Sequence, residues 1–237
     1  MSTPARAASG SADRTQRAYV KLRELIVHGR LAPGSRVIET EIADRLGFSR
    51  TPIRGALQRL QQEGYIVNAG NGRHSRPAVA PLTQEDAREL LYIVGEVEGL
   101  AAGWSASLSE APRKKLIADL TRLNGRMLSE AQKKTPSRAR IFELDTEFHR
   151  AYVMAGAGPR LLGLHNAIKP QAERYTRLYI EALIDQIVVS VAEHEAIVDA
   201  IASGKPRRAQ RAVQANWRNA AKRLAGVIEK AGELGSW

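Results

Sequence analysis

The chain has 237 residues, of which 43% are hydrophobic and 5% aromatic, and carries a formal net charge of +11. That length suits one large domain or two modest ones, and few aromatics beside abundant Ala, Leu and Arg favour helices over a β-sandwich. The absence of cysteine excludes disulfides, thiolate metal sites and a cysteine nucleophile; no apolar run approaches the ~20 residues of a membrane span, and the positive excess points to an acidic partner.

Residues 1–12 are rich in Ser, Ala and Thr and lack an apolar core segment, so they read as a disordered arm on a cytoplasmic protein rather than a signal peptide. A first helix is predicted from Arg14 to His28, with Ala18, Leu22, Leu25 and Ile26 at helical spacing. A second spans Glu39 to Leu46, Gly47 makes a sharp turn, and a third opens behind Ser49 as its cap and ends at Glu63-Gly64. Ile53, Leu57 and Leu60 face inward, while Arg50, Arg54, Gln58 and Gln61 point elsewhere. Two short helices around a glycine turn, the second opening on exposed arginines, make the layout of a helix-turn-helix. Tyr65-Ile66-Val67 and Arg76-Pro77-Ala78-Val79-Ala80 flank an Asn-Gly turn and form a hairpin with basic residues near its tip. Residues 1–80 hold 13 Lys and Arg against 6 Asp and Glu, so most of the charge excess sits in this region.

After a boundary at Pro81-Leu82-Thr83 the periodicity is helical throughout. Helices are predicted over Gln84–Leu108, Pro112–Gln132, Arg138–Met154, Pro159–Leu183, Ile187–Ser203 and Pro206–Lys230. The expected fold is therefore mainly α: a winged helix-turn-helix over 13–80, then an all-α bundle of six to seven helices over 81–237.

Pro33-Gly34-Ser35-Arg36, Glu39-x-x-Ile42-Ala43-x-x-Leu46 and Gly47-Phe48-Ser49-Arg50-Thr51-Pro52-Ile53-Arg54-x-Ala56-Leu57-x-x-Leu60-x-x-Glu63-Gly64, with a wing behind them, strongly resemble the GntR family of bacterial regulators. Asp145-x-x-Phe148-His149, then Glu193-His194-x-x-Ile197-x-x-Ala200-Ile201, Gly204 and Ala209, resemble the FCD ligand-binding domain of its FadR-type branch. The resemblance implies a transcription regulator and not an enzyme: a homodimer on an inverted-repeat DNA operator, whose helical domain binds a small effector, often a carboxylate, and frequently a divalent metal.

Carried onto this chain, the resemblance has Arg50 and Arg54 reading base edges, since an Arg fork can contact guanine O6 and N7 together. Ser49, Thr51 and Thr40 suit phosphates, and Arg73 and His74 at the wing tip suit the minor groove or backbone. Relatives usually carry Glu where this chain has Gly55, a departure that bears on how Arg54 is oriented.

Asp145 and His149 are i, i+4 on one helix and can chelate one ion (Zn, Ni or Mn), with His194 from a neighbouring helix. The resemblance places Asn216 where relatives have a further His, and Gly95 where they commonly have an Arg that grips the effector's carboxylate. A three-ligand site, a pocket reshaped for another effector, and packed residues without metal remain as readings. Arg174, Arg177 and Tyr179 are candidates for effector binding. The alternatives are an effector-independent DNA-binding dimer and a metal-dependent enzyme, whose three-ligand site would leave one position open.

Overall fold

The computed structural model describes residues 5–70 and 76–236. It divides into two compact units: the N-terminal residues through Thr83 joined by the tail from Glu233, and Gln84–Gly232.

In the first unit, helix α1 (Ala5–Val27), α2 (Glu39–Leu46) and α3 (Arg50–Gln62) precede a hairpin of β1 (Ile66–Ala69) and β2 (Arg76–Val79). Helix α1 begins at Ala5 rather than Arg14, so residues 5–12, assigned to the arm from their composition, carry helical backbone; residues 1–4 lie outside the described residues. Ala18, Leu22 and Ile26 of α1 pack with Ile42 of α2, Ile53, Ala56 and Leu60 of α3, and Tyr65, all buried. Gly47 sits at φ 68° and ψ 35°, a left-handed geometry that favours glycine, and so sets the turn between α2 and α3. Ser49 occupies the N-cap position of α3 but makes no side-chain capping bond, which leaves its hydroxyl free. The strands pair antiparallel from Ile66↔Val79 to Ala69↔Arg76. The Val37 amide donates to the Pro77 carbonyl at 2.8 Å, which pins the hairpin to the segment before α2; a two-stranded ribbon needs such packing to be stable. Arg73 and His74 lie outside the described residues.

The tail returns to this same unit. Leu82 and Leu234 exchange backbone hydrogen bonds of 2.8 and 3.2 Å. Gly235 lies so close to the Pro33-Gly34 turn that a Cβ on it would stand 2.3 Å from the Pro33 carbonyl carbon.

The second unit is helical: α4 (Gln84–Ala106), α5 (Glu110–Ala131), α6 (Arg138–Gly156), α7 (Pro159–Leu178), α8 (Ile180–Leu183), a 3-10 turn at Ile184–Gln186, α9 (Ile187–Ala202) and α10 (Pro206–Ala231). The single helix predicted over Pro159–Leu183 breaks at Tyr179, whose backbone leaves helical geometry at φ −105° and ψ 9°, while its hydroxyl donates to the Gly232 carbonyl at 2.9 Å. Helix α4 packs along α10 through Gly95, Gly99 and Gly103, four residues apart and so stacked on one face. A Cβ at these positions would meet the Trp217 Cβ at 2.9 Å, the Gln210 carbonyl oxygen at 3.2 Å and the Pro206 carbonyl oxygen at 3.2 Å. The absence of side chains there lets the two helices approach closely.

Candidate DNA interface and candidate metal and effector centre

In the first unit, Ser49, Arg50, Thr51 and Arg54 lie at the start of α3 and Thr40 in the first turn of α2, and all five are exposed. Pro52 and Ile53 turn inward with Ala56 and Leu60, so the helix period forces the two arginines outward. Both are held by one carboxylate. Arg54 meets Glu39 through two hydrogen bonds of 3.0 and 3.1 Å, and Arg50 Nε donates to Glu39 at 3.2 Å. The hydrogen bond from Arg54, above all, holds the Glu39 carboxyl below its usual range. Glu39 thus bridges the two arginines, a contact that reading the arginines alone does not find. A Cβ at Gly55 would meet Thr15 of α1 at 3.0 Å, so the missing side chain admits α1 against α3.

In the second unit, α6 carries Asp145 and His149, and α9 carries His194; one ligand atom from each lies within 4.8 Å of the others. His194 is fully buried and stacked on Phe148 at 4.0 Å between centroids. Burial pushes its pKa down to about 3, so the ring is neutral. Asn124 of α5 donates through Nδ2 to the Val191 carbonyl at 3.0 Å, which turns its Oδ1 to the His194 Nδ1 at 3.1 Å. The proton therefore sits on Nδ1, and Nε2 presents a lone pair. That atom is buried, has no hydrogen-bond partner and stands 3.6 Å from Asp145 Oδ1. A buried polar atom left without a partner is rare. An imidazole nitrogen in that state, beside a carboxylate and a second histidine, fits a divalent ion.

His149 is oriented in the same way. Its Nδ1 lies 2.8 Å from Glu98 Oε2 and 2.7 Å from the Tyr152 hydroxyl, so Nδ1 carries the proton and Nε2 is left for another partner. Glu98, fully buried on α4, is the hub of this region. Its Oε2 also accepts from Tyr152 Oη at 2.5 Å and Trp217 Nε1 at 2.9 Å, while its Oε1 faces His165 Nε2 at 2.9 Å and Lys169 Nζ at 3.8 Å. Burial alone would raise the Glu98 pKa, but its pairing with His149, the charge of Lys169 and the hydrogen bonds of the two histidines hold it well below the usual carboxylate range. Burial and the Glu98 charge push Tyr152 well above its ordinary value, so its hydroxyl keeps its proton and donates.

A cavity with about 820 Å³ of empty space, part of it open to solvent, lies alongside. Asp145, His149, Lys169, Asn216, Trp217 and Arg223 are among the residues that line it. The Asn216 amide donates to Glu193 at 2.9 Å, and Arg223 meets the same carboxylate at 2.8 and 2.9 Å. Lys169 sits over the Trp217 ring at 4.4 Å, a cation–π geometry. The Trp217 Cβ and Cγ and the Gln214 Cα occupy the space into which a side chain at Gly95 would project. Arg174, Arg177 and Tyr179 are not among the lining residues. Arg174 is buried, Arg177 lies over the Phe142 ring at 4.0 Å, and Tyr179 reaches Gly232. Lys169, Glu173 and Thr176 of the same helix line the cavity instead.

A helix-turn-helix with a wing, followed by an all-α unit with a cavity, defines a class of DNA-binding regulator. Residues 14–73 match bacterial regulatory proteins of the gntR family, and residues 89–219 match the FCD domain. The chain belongs to the gntR family, in the branch that carries an FCD domain. It is 30% identical over 191 residues, 79% of this chain and 78% of the relative, to a probable D-xylose utilization operon transcriptional repressor of Paenarthrobacter nicotinovorans. It is 28% identical over 205 residues, 82% of this chain and 78% of the other, to the transcriptional repressor NanR of Cronobacter sakazakii. The fold is that of E. coli McbR/YncC (TM-score 0.67, 17% identity, 92% of this chain and 99% of that one) and of a putative GntR regulator from Rhodococcus sp. RHA1 (TM-score 0.67, 23% identity, 90% and 98%). The chain is a bacterial transcription regulator. Among the described residues no helix is long and apolar enough to cross a membrane.

Proposed function

We propose that this regulator binds an inverted-repeat operator in the cytoplasm as a homodimer and changes its operator affinity when a small molecule enters the α6–α7–α10 cavity beside a bound divalent metal. Arg50 and Arg54 contact base edges, with Ser49, Thr51 and Thr40 on phosphates and Arg73 and His74 on the wing. Asp145, His149 and His194 hold the ion, with Asn216 beside them on the cavity wall. Held there, a divalent ion would supply a fixed positive charge beside the cavity; the protein supplies imidazoles whose tautomers are set by Glu98 and Asn124. An effector acts by binding one of two head arrangements better than the other.

The homodimer is supported by a stripe on α4: Ile93, Val97, Leu100 and Trp104 follow an i, i+4, i+7, i+11 spacing. Trp104 is 49% exposed, and Ile93 and Leu100 are each 40% exposed. An apolar stripe of this period suits an equivalent helix of a second copy, and a two-fold dimer matches an inverted-repeat operator.

The observation that carries the reading is the buried, partnerless His194 Nε2 facing Asp145 beside His149. The test is the metal content of untagged protein beside a His149→Ala variant. About one ion per chain, lost in the variant, is the expected result. No uptake by wild-type protein dialysed against zinc, nickel and manganese overturns the metal reading.

A further inference from the structure

The cavity has two unlike ends. Ile141 and His149 lie eight residues apart on α6, and Asn216 and Leu224 eight apart on α10, and all four line it. At the rise of an α-helix each pair spans about 12 Å. Helix α7 follows the same course from Lys169 past Thr176, and Ile180 of α8 continues it. The space is therefore a slot. At one end stand Asp145, His149, Asn216 and Lys169; at the other, Phe142, Ile180, Leu183 and Leu224. Thr146, Thr176, Gln186 and Ser190 are the other uncharged polar residues that line it.

The charges along the slot are already matched, with one exception. Arg223 is held by both oxygens of Glu193. Lys169 lies 3.8 Å from Glu98 and 4.0 Å from Glu173. Two neutral imidazoles and the single carboxylate of Asp145 leave a divalent ion with one net positive charge. A second negative group on a ligand would face Glu173, the Arg223–Glu193 pair whose charges already cancel, or an apolar wall, and an unpaired charge buried there is costly.

We propose that the slot selects an amphipathic monocarboxylate, with its one anionic head at the Asp145–His149–Asn216 end and an aryl or alkyl body against Phe142, Leu183 and Leu224. This rests on the reading of the cavity as the metal and effector site. Dicarboxylates are rejected by charge, and polyhydroxy acids by the hydroxyls they would have to desolvate against the apolar end.

The test titrates zinc-loaded full-length protein, with zinc measured in each sample, with phenylacetate, glutarate and gluconate by calorimetry. Phenylacetate is expected to bind saturably and at least tenfold more tightly than the other two. Leu183→Asn, at a half-buried position, is expected to weaken phenylacetate at least fivefold with zinc content unchanged. Equal or tighter binding of glutarate or gluconate, or no saturable binding of phenylacetate, by protein that holds zinc overturns this inference and leaves the metal reading standing. Selectivity for phenylacetate in protein that takes up no zinc overturns the metal reading and, with it, the charge argument for the anionic head made here.

Discussion

Replacing Glu98 with Gln keeps the shape of the hub and removes its charge. Glu98 Oε2 accepts from Tyr152, His149 and Trp217 at 2.5 to 2.9 Å, and Oε1 faces His165 at 2.9 Å. A hydrogen bond to a charged group contributes about 1.5–3 kcal/mol and a neutral one about 0.5–1.5, so each of these bonds weakens by roughly 1 kcal/mol. The gross loss is then about 4 kcal/mol. Part of it returns, because an amide is easier to bury than a carboxylate, and the expected net destabilisation is about 2 kcal/mol. Urea unfolding in the presence of EDTA reads this without metal. The second readout is metal affinity. The amide holds the His149 Nδ1 proton less firmly, the ring is a weaker donor through Nε2, and cobalt affinity should fall about 10- to 100-fold. Competition against a chromophoric chelator measures it, and the visible absorption of the cobalt protein should shift as the ligand field changes. An unchanged cobalt affinity refutes the positioning role of Glu98; unchanged stability refutes the account of the hub as a charge-assisted network.

Arg50→Ala and Arg54→Ala should each reduce discrimination between the operator and a site with one altered base pair by about ten- to a hundredfold, the loss of one bidentate contact; fluorescence anisotropy at fixed salt shows it, and unaltered preference in both variants refutes the assignment. Trp104→Glu should convert the dimer to monomer by sedimentation and abolish tight operator binding, whereas a dimer that survives refutes the α4 stripe as its interface. Metal-free protein should lose stability as the pH falls from about 6.5 towards 3, because His194 titrates at about 3 in the folded chain and the unfolded chain takes up its proton first. A His194→Gln variant should decline less steeply over that window, and identical slopes refute the neutral, buried state of the ring. Gly156→Ala should destabilise markedly, since its Cβ would stand 2.1 Å from the Ala101 carbonyl oxygen, while Gly226→Ala, with nothing within 4 Å, should be neutral or gain up to about 1 kcal/mol in urea unfolding.

The helix-turn-helix was readable because its constraints are local: Gly47 at the turn, Ile53 and Leu60 inward, Arg50 and Arg54 outward. Asp145 and His149 were readable for the same reason, one helix turn apart. His194 came through resemblance, since spacing says nothing about which later helix lies alongside. Glu98, Asn124 and Trp217 were missed because their roles exist only where α4, α5 and α10 meet α6 and α9. One signal was present: Glu98 falls on the inward face of α4 with Leu91, Val94 and Ala101, and a carboxylate there needs partners. Arg174, Arg177 and Tyr179 lie on α7 or at its end but do not line the cavity, because which face of α7 meets α6 and α10 is set by their packing and not by the spacing within α7. Glu39 went unread as a partner because its contacts with Arg50 and Arg54 depend on the angle between α2 and α3.

The pairing of Leu82 with Leu234 makes the helical unit an insertion in the winged one: the chain leaves at Thr83 and comes back at Glu233. A DNA-reading module cut after Thr83 would thus lack one side of its own fold. Leu82, fully buried in the whole chain, would lose its ladder partner, and the Pro33-Gly34 turn would lose the glycine packed against it. Grafting this module onto another sensor calls for a host whose two termini can be spliced between residues 83 and 233, as a loop replacement rather than an end-to-end fusion.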